Sequence, residues 1–160
     1  MAVTRDATPA DLDALVALEN ACYPPRQAYS REEYRYALAV AKAVNLVHEE
    51  DGRAVGFVGA FHHARWRAGH VYTVNVHPSQ RGRGLGKRLM AACEGRLAAL
   101  GMTRVLLEVN VQNEAAIRLY ESCGYARLKR LRNYYTQYED NDAFLYEKPL
   151  APSADAATSR

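Results

Sequence analysis

"HPSQRGRGLGKRL", residues 77–89, decides how the rest of the chain is read. Gly82, Gly84 and Gly86 fall at every second position, and Arg81, Arg83, Lys87 and Arg88 are threaded among them. A strand-like stretch, "HVYTVNV", stops just before it at Pro78. Immediately after it, Leu85, Leu89, Ala92, Cys93, Leu97 and Leu100 recur at helical spacing, and Gly101 closes the helix. A helix start carries unpaired N–H groups and about half a positive charge. Glycine permits positive φ and removes the Cβ that would hold a ligand off the backbone. A strand, a glycine turn and a helix start together cradle an anion such as phosphate. The spacing does not fit a dinucleotide fingerprint, because the third glycine would fall at Lys87. Nor does it fit a Walker loop, in which Gly86-Lys87 would be followed by Ser or Thr rather than Arg88. The remaining alternative is a plain Gly-rich connection with basic, solubilising residues.

Outward from this turn, the chain alternates helices and strands in a mixed α/β order that ends β-rich. Val3–Arg5 reads as an edge strand, and Thr8 with Pro9 opens a helix running to about Cys22. "YPPRQAY" is a Pro-broken loop. Ser30 and Glu33 form a capping box for a second helix, expected to end near Ala43. "NLVHE" and "AVGFVGAF" are strands joined at Asp51-Gly52. "RVLLEV" is apolar on both faces and reads as a central strand. A fourth helix spans Asn113 to Cys123, and "YARLKRLRNYY" and "AFLYEKP" finish as strands.

The length of 160 residues suits one domain over 1–150, followed by a polar tail at 151–160 that is expected to be mobile. An apolar fraction of 49% with 24% charged residues is ordinary for a soluble globular chain. The net charge of +3 suits an anion met locally rather than a long nucleic-acid footprint. The cations are confined to one turn without a stripe of stacking aromatics, which argues against a nucleic-acid partner. No apolar run approaches the roughly 18 residues a membrane span needs, and the N-terminus has no secretory apolar core. Cys22, Cys93 and Cys123 are odd in number and widely spaced, so they read as reduced thiols of a cytoplasmic protein. Neither they nor the histidines show metal-ligand spacing; His62 and His63 are adjacent on a strand and face opposite ways. Trp66 reads as a turn residue covering the sheet edge.

Two residues stand out for acid–base chemistry. Glu108 is a carboxylate within an otherwise apolar strand, near its C-terminal end, where ligands of α/β sheets bind. Half-buried, it is expected to have a raised pKa and to serve as a base. Tyr120 shares a helix face with Ala116, Leu119 and Cys123, so its phenol is either core or a proton donor. Asn113 suits a helix cap.

"RGRGLG" matches the R/Q-x-x-G-x-G/A pyrophosphate loop of the GCN5-related N-acetyltransferases, and "VNVHP" before it resembles that family's fourth strand. "LLEVNVQNEAAIRLYESCGY", residues 106–125, is similar to the family's later motif, especially in the ribosomal-protein N-terminal alanine acetyltransferases. The resemblance implies a mixed, mostly antiparallel central sheet of about six or seven strands with about four helices. It implies acetyl-CoA as cosubstrate, no metal, and direct transfer of the acetyl group to an amine. By the same resemblance Glu108 is the base and Tyr120 the acid. Val74 and Val76 would hold the pantetheine arm through their backbones. Arg81, Gly82, Arg83, Gly84, Leu85, Gly86, Lys87 and Asn113 would line the cofactor.

The acceptor is less sharply defined. An α-amine of pKa about 8 is roughly a tenth neutral at pH 7, whereas a lysine near 10.4 is below a thousandth. This favours a protein N-terminus without excluding lysine, a polyamine or a small amine. Tyr29, Tyr134 and Tyr135, with Tyr138, would wall the acceptor, and Glu139, Asp140 and Asp142 would draw a cation. "RNYY" recurs in the protein-N-terminal members, but "TQYEDND" departs from their Gly-containing turn. A fold kept only for binding CoA or a protein is the competing reading, and monomer and homodimer are both compatible with the sequence.

Overall fold

In the computed structural model, which describes residues 1–152, eleven regular elements follow in the order β1 (Ala2–Asp6), α1 (Leu12–Cys22), α2 (Arg31–Ala39), β2 (Ala43–Glu50), β3 (Arg53–His63), β4 (Ala68–Val76), α3 (Leu85–Ala99), β5 (Arg104–Asn110), α4 (Glu114–Ser122), β6 (Ala126–Leu131) and β7 (Ala143–Pro149). The expected mobile tail lies outside the described residues apart from Ala151 and Pro152.

The strands form one seven-stranded sheet in the order β1-β2-β3-β4-β5-β7-β6. Every neighbouring pair is antiparallel except β4 and β5, which α3 connects as a parallel crossover. Both faces are covered around the centre, and alternation along β2 and β3 assigns each side chain its layer. Val58, Leu46 and Val44 pack with Leu89, Met90 and Leu97 of α3. Val47 and Phe57 face the opposite way and pack with Leu15 and Leu18 of α1 and Tyr34 of α2. Each such side chain contributes about 1.5–3 kcal/mol relative to leaving it exposed.

The central relationship is between β4 and β5. Their pairing covers only Ala68↔Arg104, Gly69↔Val105 and His70↔Leu106, and the two strands then part. A β-bulge lies at the point of departure: Ala60 opposes Val71 and Gly59 opposes Thr73, which leaves Tyr72 as the extra residue. Bulges bend a strand and sharpen its twist. Gly59 makes room for this one, since a Cβ there would lie 2.1 Å from the Tyr72 ring. The Tyr72 hydroxyl then donates to Asn45 Oδ1 at 2.5 Å.

The second helix ends four residues earlier than the sequence suggested, at Ala39 rather than Ala43. Val40 is already extended, and the buried Asn45 side chain donates to the Ala37 carbonyl at 2.9 Å, capping the helix from the neighbouring strand. The long "YARLKRLRNYY" strand is likewise shorter: β6 stops at Leu131, and Asn133 takes a φ of 52° that turns the chain into the β6–β7 loop.

Candidate active site

The splay between β4 and β5 opens a slot through the sheet, and the site is built on its two sides. His77 N–H bonds the Val55 carbonyl of β3, so alternate residues Val74 and Val76 turn their backbone groups to the slot. The Val76 carbonyl accepts from Arg81 Nε at 3.1 Å and Cys22 Sγ at 3.4 Å. On the α3–α4 side lies a groove of about 380 Å³ lined by Val74, Val76, Arg81, Gly82, Gly84 and Lys87, with Asn113, Leu119 and Tyr120 opposite.

Gly84 is the N-cap of α3 with φ 78° and ψ 11°, a left-handed conformation that favours glycine. The first N–H groups of this 15-residue helix therefore open onto the groove beside Arg81 and Lys87, an arrangement that fits a phosphate-bearing ligand. Gly86 has a different task. A Cβ there would stand 3.2 Å from Leu119 Cδ2, so this glycine lets α3 approach α4 closely. Arg83, expected to help hold the cofactor, turns away to Gln80 and Glu50 instead.

On the opposite face of the sheet a small chamber of about 70 Å³ brings together Glu108, Tyr120, Tyr29, Tyr135, Tyr138 and Glu19. Leu107 and Val109 belong to the α3-side core, so Glu108 between them faces the other way. Its carboxylate bonds His70 Nε2 through both oxygens, at 2.6 and 2.9 Å, and accepts from the Tyr134 hydroxyl at 2.7 Å. Burial pushes its pKa up, but the hydrogen bond and charge of His70 and the Tyr134 hydroxyl outweigh this, and the net shift is downward. The raised pKa expected from burial is thus corrected: Glu108 is held as a carboxylate.

Tyr120 is 7% exposed and lines both the groove and the chamber. Burial first, then the neighbouring Tyr29 and Cys123, raises its pKa, so the phenol keeps its proton. Its hydroxyl has no hydrogen-bond partner among the described residues. Asn113 caps α4, its side chain accepting from Ala116 N at 3.1 Å, and lines both cavities as well. Tyr29 donates to the Tyr72 carbonyl at 3.0 Å, and Tyr134 reaches Glu108 from the chamber's rim.

Asp140 and Asp142 of the acidic turn, expected to draw a cation, are engaged within the chain. Asp142 bonds Arg130 at 2.7 Å and accepts from the Asn133 N–H, while Asp140 pairs with the same arginine at 3.4 Å. These carboxylates shape the β6–β7 loop.

The sequence reading missed Glu19 and His70. Glu19 is 1% exposed on α1 and accepts from the Tyr34 hydroxyl at 2.6 Å, Asn75 Nδ2 at 2.7 Å and the Tyr29 N–H at 3.0 Å. Its signal was a carboxylate four residues after Leu15, on the buried stripe of an amphipathic helix. His70 carried no such signal, because its partner depends on the register of two strands separated by a helix. Tyr23, which lines both cavities, was also missed. The described residues contain no cluster of metal-ligating side chains, and no helix among them is long and apolar enough to cross a membrane.

Residues 12–125 match the acetyltransferase (GNAT) family. A mycothiol acetyltransferase from Thermobispora bispora is 42% identical over 84 residues, which are 49% of this chain but only 28% of that protein. An N-alpha-acetyltransferase from Sulfurisphaera tokodaii is 29% identical over 164 residues, covering 91% of this chain and 92% of the relative. The ribosomal-protein-S18-alanine N-acetyltransferase of Escherichia coli has the same fold, with a TM-score of 0.84, 23% identity and 97% of each chain covered. The seven-stranded splayed sheet, the glycine cap and the match over most of the sequence agree: the chain belongs to the acetyltransferase (GNAT) family.

Proposed function

We propose that the protein transfers the acetyl group of acetyl-CoA directly to a protein N-terminal α-amine in a ternary complex. The observation that carries this reading is the placement of Glu108 and Tyr120 around one chamber, with the glycine groove opening beside Tyr120. The phosphates of the cosubstrate suit the α3 N-terminus with Arg81 and Lys87, and the pantetheine arm suits the free strand edge at Val74. The Arg81 and Cys22 contacts to the Val76 carbonyl would yield to the arm. Residues 1–150 act as one catalytic domain in this reading.

The acceptor enters between Tyr29 and the Tyr134–Tyr138 loop. Its ammonium loses one proton to Glu108, directly or through water, and the neutral nitrogen attacks the thioester carbonyl carbon. A C–N bond forms and the C–S bond breaks. The departing sulfur takes a proton from Tyr120, and the nitrogen's second proton restores the phenol. Held as a carboxylate, Glu108 is a modest base, which suits an α-amine near pKa 8 better than a lysine near 10.4. Burial raises the pKa of Cys22 and Cys123 and pushes Cys93 up to about 12, so no thiol is activated for an acetyl-enzyme route.

The cosubstrate and amine are the only partners this reading requires, in a cytoplasmic setting and with monomer and homodimer equally able to form the site. Mass spectrometry of N-terminal peptides, lysine peptides, polyamines and small amines after incubation with acetyl-CoA tests it. Acetylation of peptide α-amines in preference to the rest is expected; preference for lysine, a polyamine or a small amine overturns the acceptor. Tight acetyl-CoA binding with no product in any arm supports the non-catalytic reading instead.

A further inference from the structure

The Glu108 carboxylate lies on a wall between two cavities. One is the acceptor chamber, and the other is an outer pocket of about 230 Å³ lined by His63, Trp66, His70, Arg104, Leu106 and Glu108. His70 lines that pocket beside Glu108 and takes no part in lining the chamber. Its side chain is 35% exposed while Glu108's is 11% exposed, and its Nε2 spans both carboxylate oxygens. Trp66 at the mouth is 63% exposed, so the pocket is open to water.

The proposed reaction releases one proton per turnover. The acceptor arrives as R–NH3⁺ and leaves as an amide, and CoA leaves as a neutral thiol, so one proton must pass to solvent. Glu108 receives it inside a chamber whose other carboxylate, Glu19, already accepts from the Tyr34 hydroxyl, Asn75 Nδ2 and the Tyr29 N–H. Both oxygens of Glu108 face His70 Nε2, so a proton on the carboxyl passes to the bare Nε2 of a neutral Nδ1–H imidazole. The Nδ1 proton leaves to water in the outer pocket, and the ring resets its tautomer through that water.

We infer that His70 is the proton exit of the acceptor site, taking the acceptor's proton from Glu108 and releasing it through the Trp66 pocket. The inference rests on Glu108 being the base. His70 acts through Glu108 and is therefore a positioning and relay residue. The other charged or titratable groups around it are few. Glu108 faces it from β5, Tyr134 reaches the same carboxylate from the β6–β7 loop, and His63 lines the pocket from the end of β3. Arg104 on β5 is engaged with Glu147 of β7 at 3.0 Å. The residue beside His70 on β3, Phe61, does not titrate.

Chemical rescue separates a relay from a prop. In His70→Ala, turnover is expected to fall by about tenfold or more, with acetyl-CoA affinity unchanged, and added imidazole should restore much of it through the vacated pocket. His70→Gln keeps a hydrogen-bond donor to Glu108 but cannot relay. It should stay slow and should lose the wild-type dependence of kcat on buffer base. Melting temperatures report whether each variant is folded. Full activity in His70→Gln, or a folded His70→Ala that is as fast as wild type or deaf to imidazole, overturns the inference while leaving the proposed reaction intact. A wild-type protein that turns over no amine overturns both.

Discussion

Tyr134, three residues beyond the end of β6, donates its hydroxyl to Glu108 in β5 at 2.7 Å. In the proposed reaction the loop that walls the acceptor thereby touches the group that receives its proton, so acceptor binding and base strength would be coupled through one hydrogen bond. That bond helps hold the Glu108 pKa below its ordinary value against the upward push of burial. Removing it in Tyr134→Phe raises the pKa, and the acid limb of kcat/KM should move to higher pH. A pH–rate profile with the limb unmoved contradicts the coupling.

Gly84 and Gly86 should fail differently when each is changed to Ala. At Gly84 the φ of 78° costs an L-residue about 1–2 kcal/mol, while a Cβ meets nothing within 4 Å. At Gly86 the new methyl stands 3.2 Å from Leu119 Cδ2, and the Leu119 side chain must give by a few tenths of an ångström, at about 1 kcal/mol or more. Both variants should melt at lower temperature. Gly86→Ala should also weaken acetyl-CoA, because Leu119 and Val76 line the groove, and calorimetric titration beside a melting curve reads both effects.

Glu19 joins the loop carrying Tyr29 to the sheet. Replacing it with Ala leaves the Tyr34 hydroxyl and the Tyr29 N–H without their acceptor and leaves Asn75 Nδ2 only the Tyr34 oxygen at 3.0 Å. Each buried donor left unpaired costs about 1–3 kcal/mol before relaxation or water entry. The loop carrying Tyr29 should loosen, raising KM for the amine far more than KM for acetyl-CoA. Equal increases in the two constants contradict the assignment.

How much of this was legible in the sequence followed the range of each interaction. The Ser30–Glu33 box and the cap at Asn113 are settled within four residues, and they stand where the sequence put them. The α/β order and the seven strands followed from hydrophobic period and turn residues. The end of α2 was misplaced because Asn45, six residues beyond Ala39, terminates it from a strand. The bulge at Tyr72, the Glu19–Asn75 bond at 56 residues' separation and the His70–Glu108 pair at 38 depend on register, which composition and period do not encode. The direction of the Glu108 shift was misread for the same reason: burial was foreseeable, but the two partners that outweigh it were not.

In the proposed reaction Glu108 and Tyr120 serve one acetyl transfer. The decisive measurement is free-thiol release from acetyl-CoA with an N-terminal peptide, for wild type, Glu108→Gln and Tyr120→Phe. Peptide-dependent release by wild type is predicted, with turnover reduced by about a hundredfold or more in each variant and acetyl-CoA still bound by both. Variants that release thiol at the wild-type rate contradict the claim.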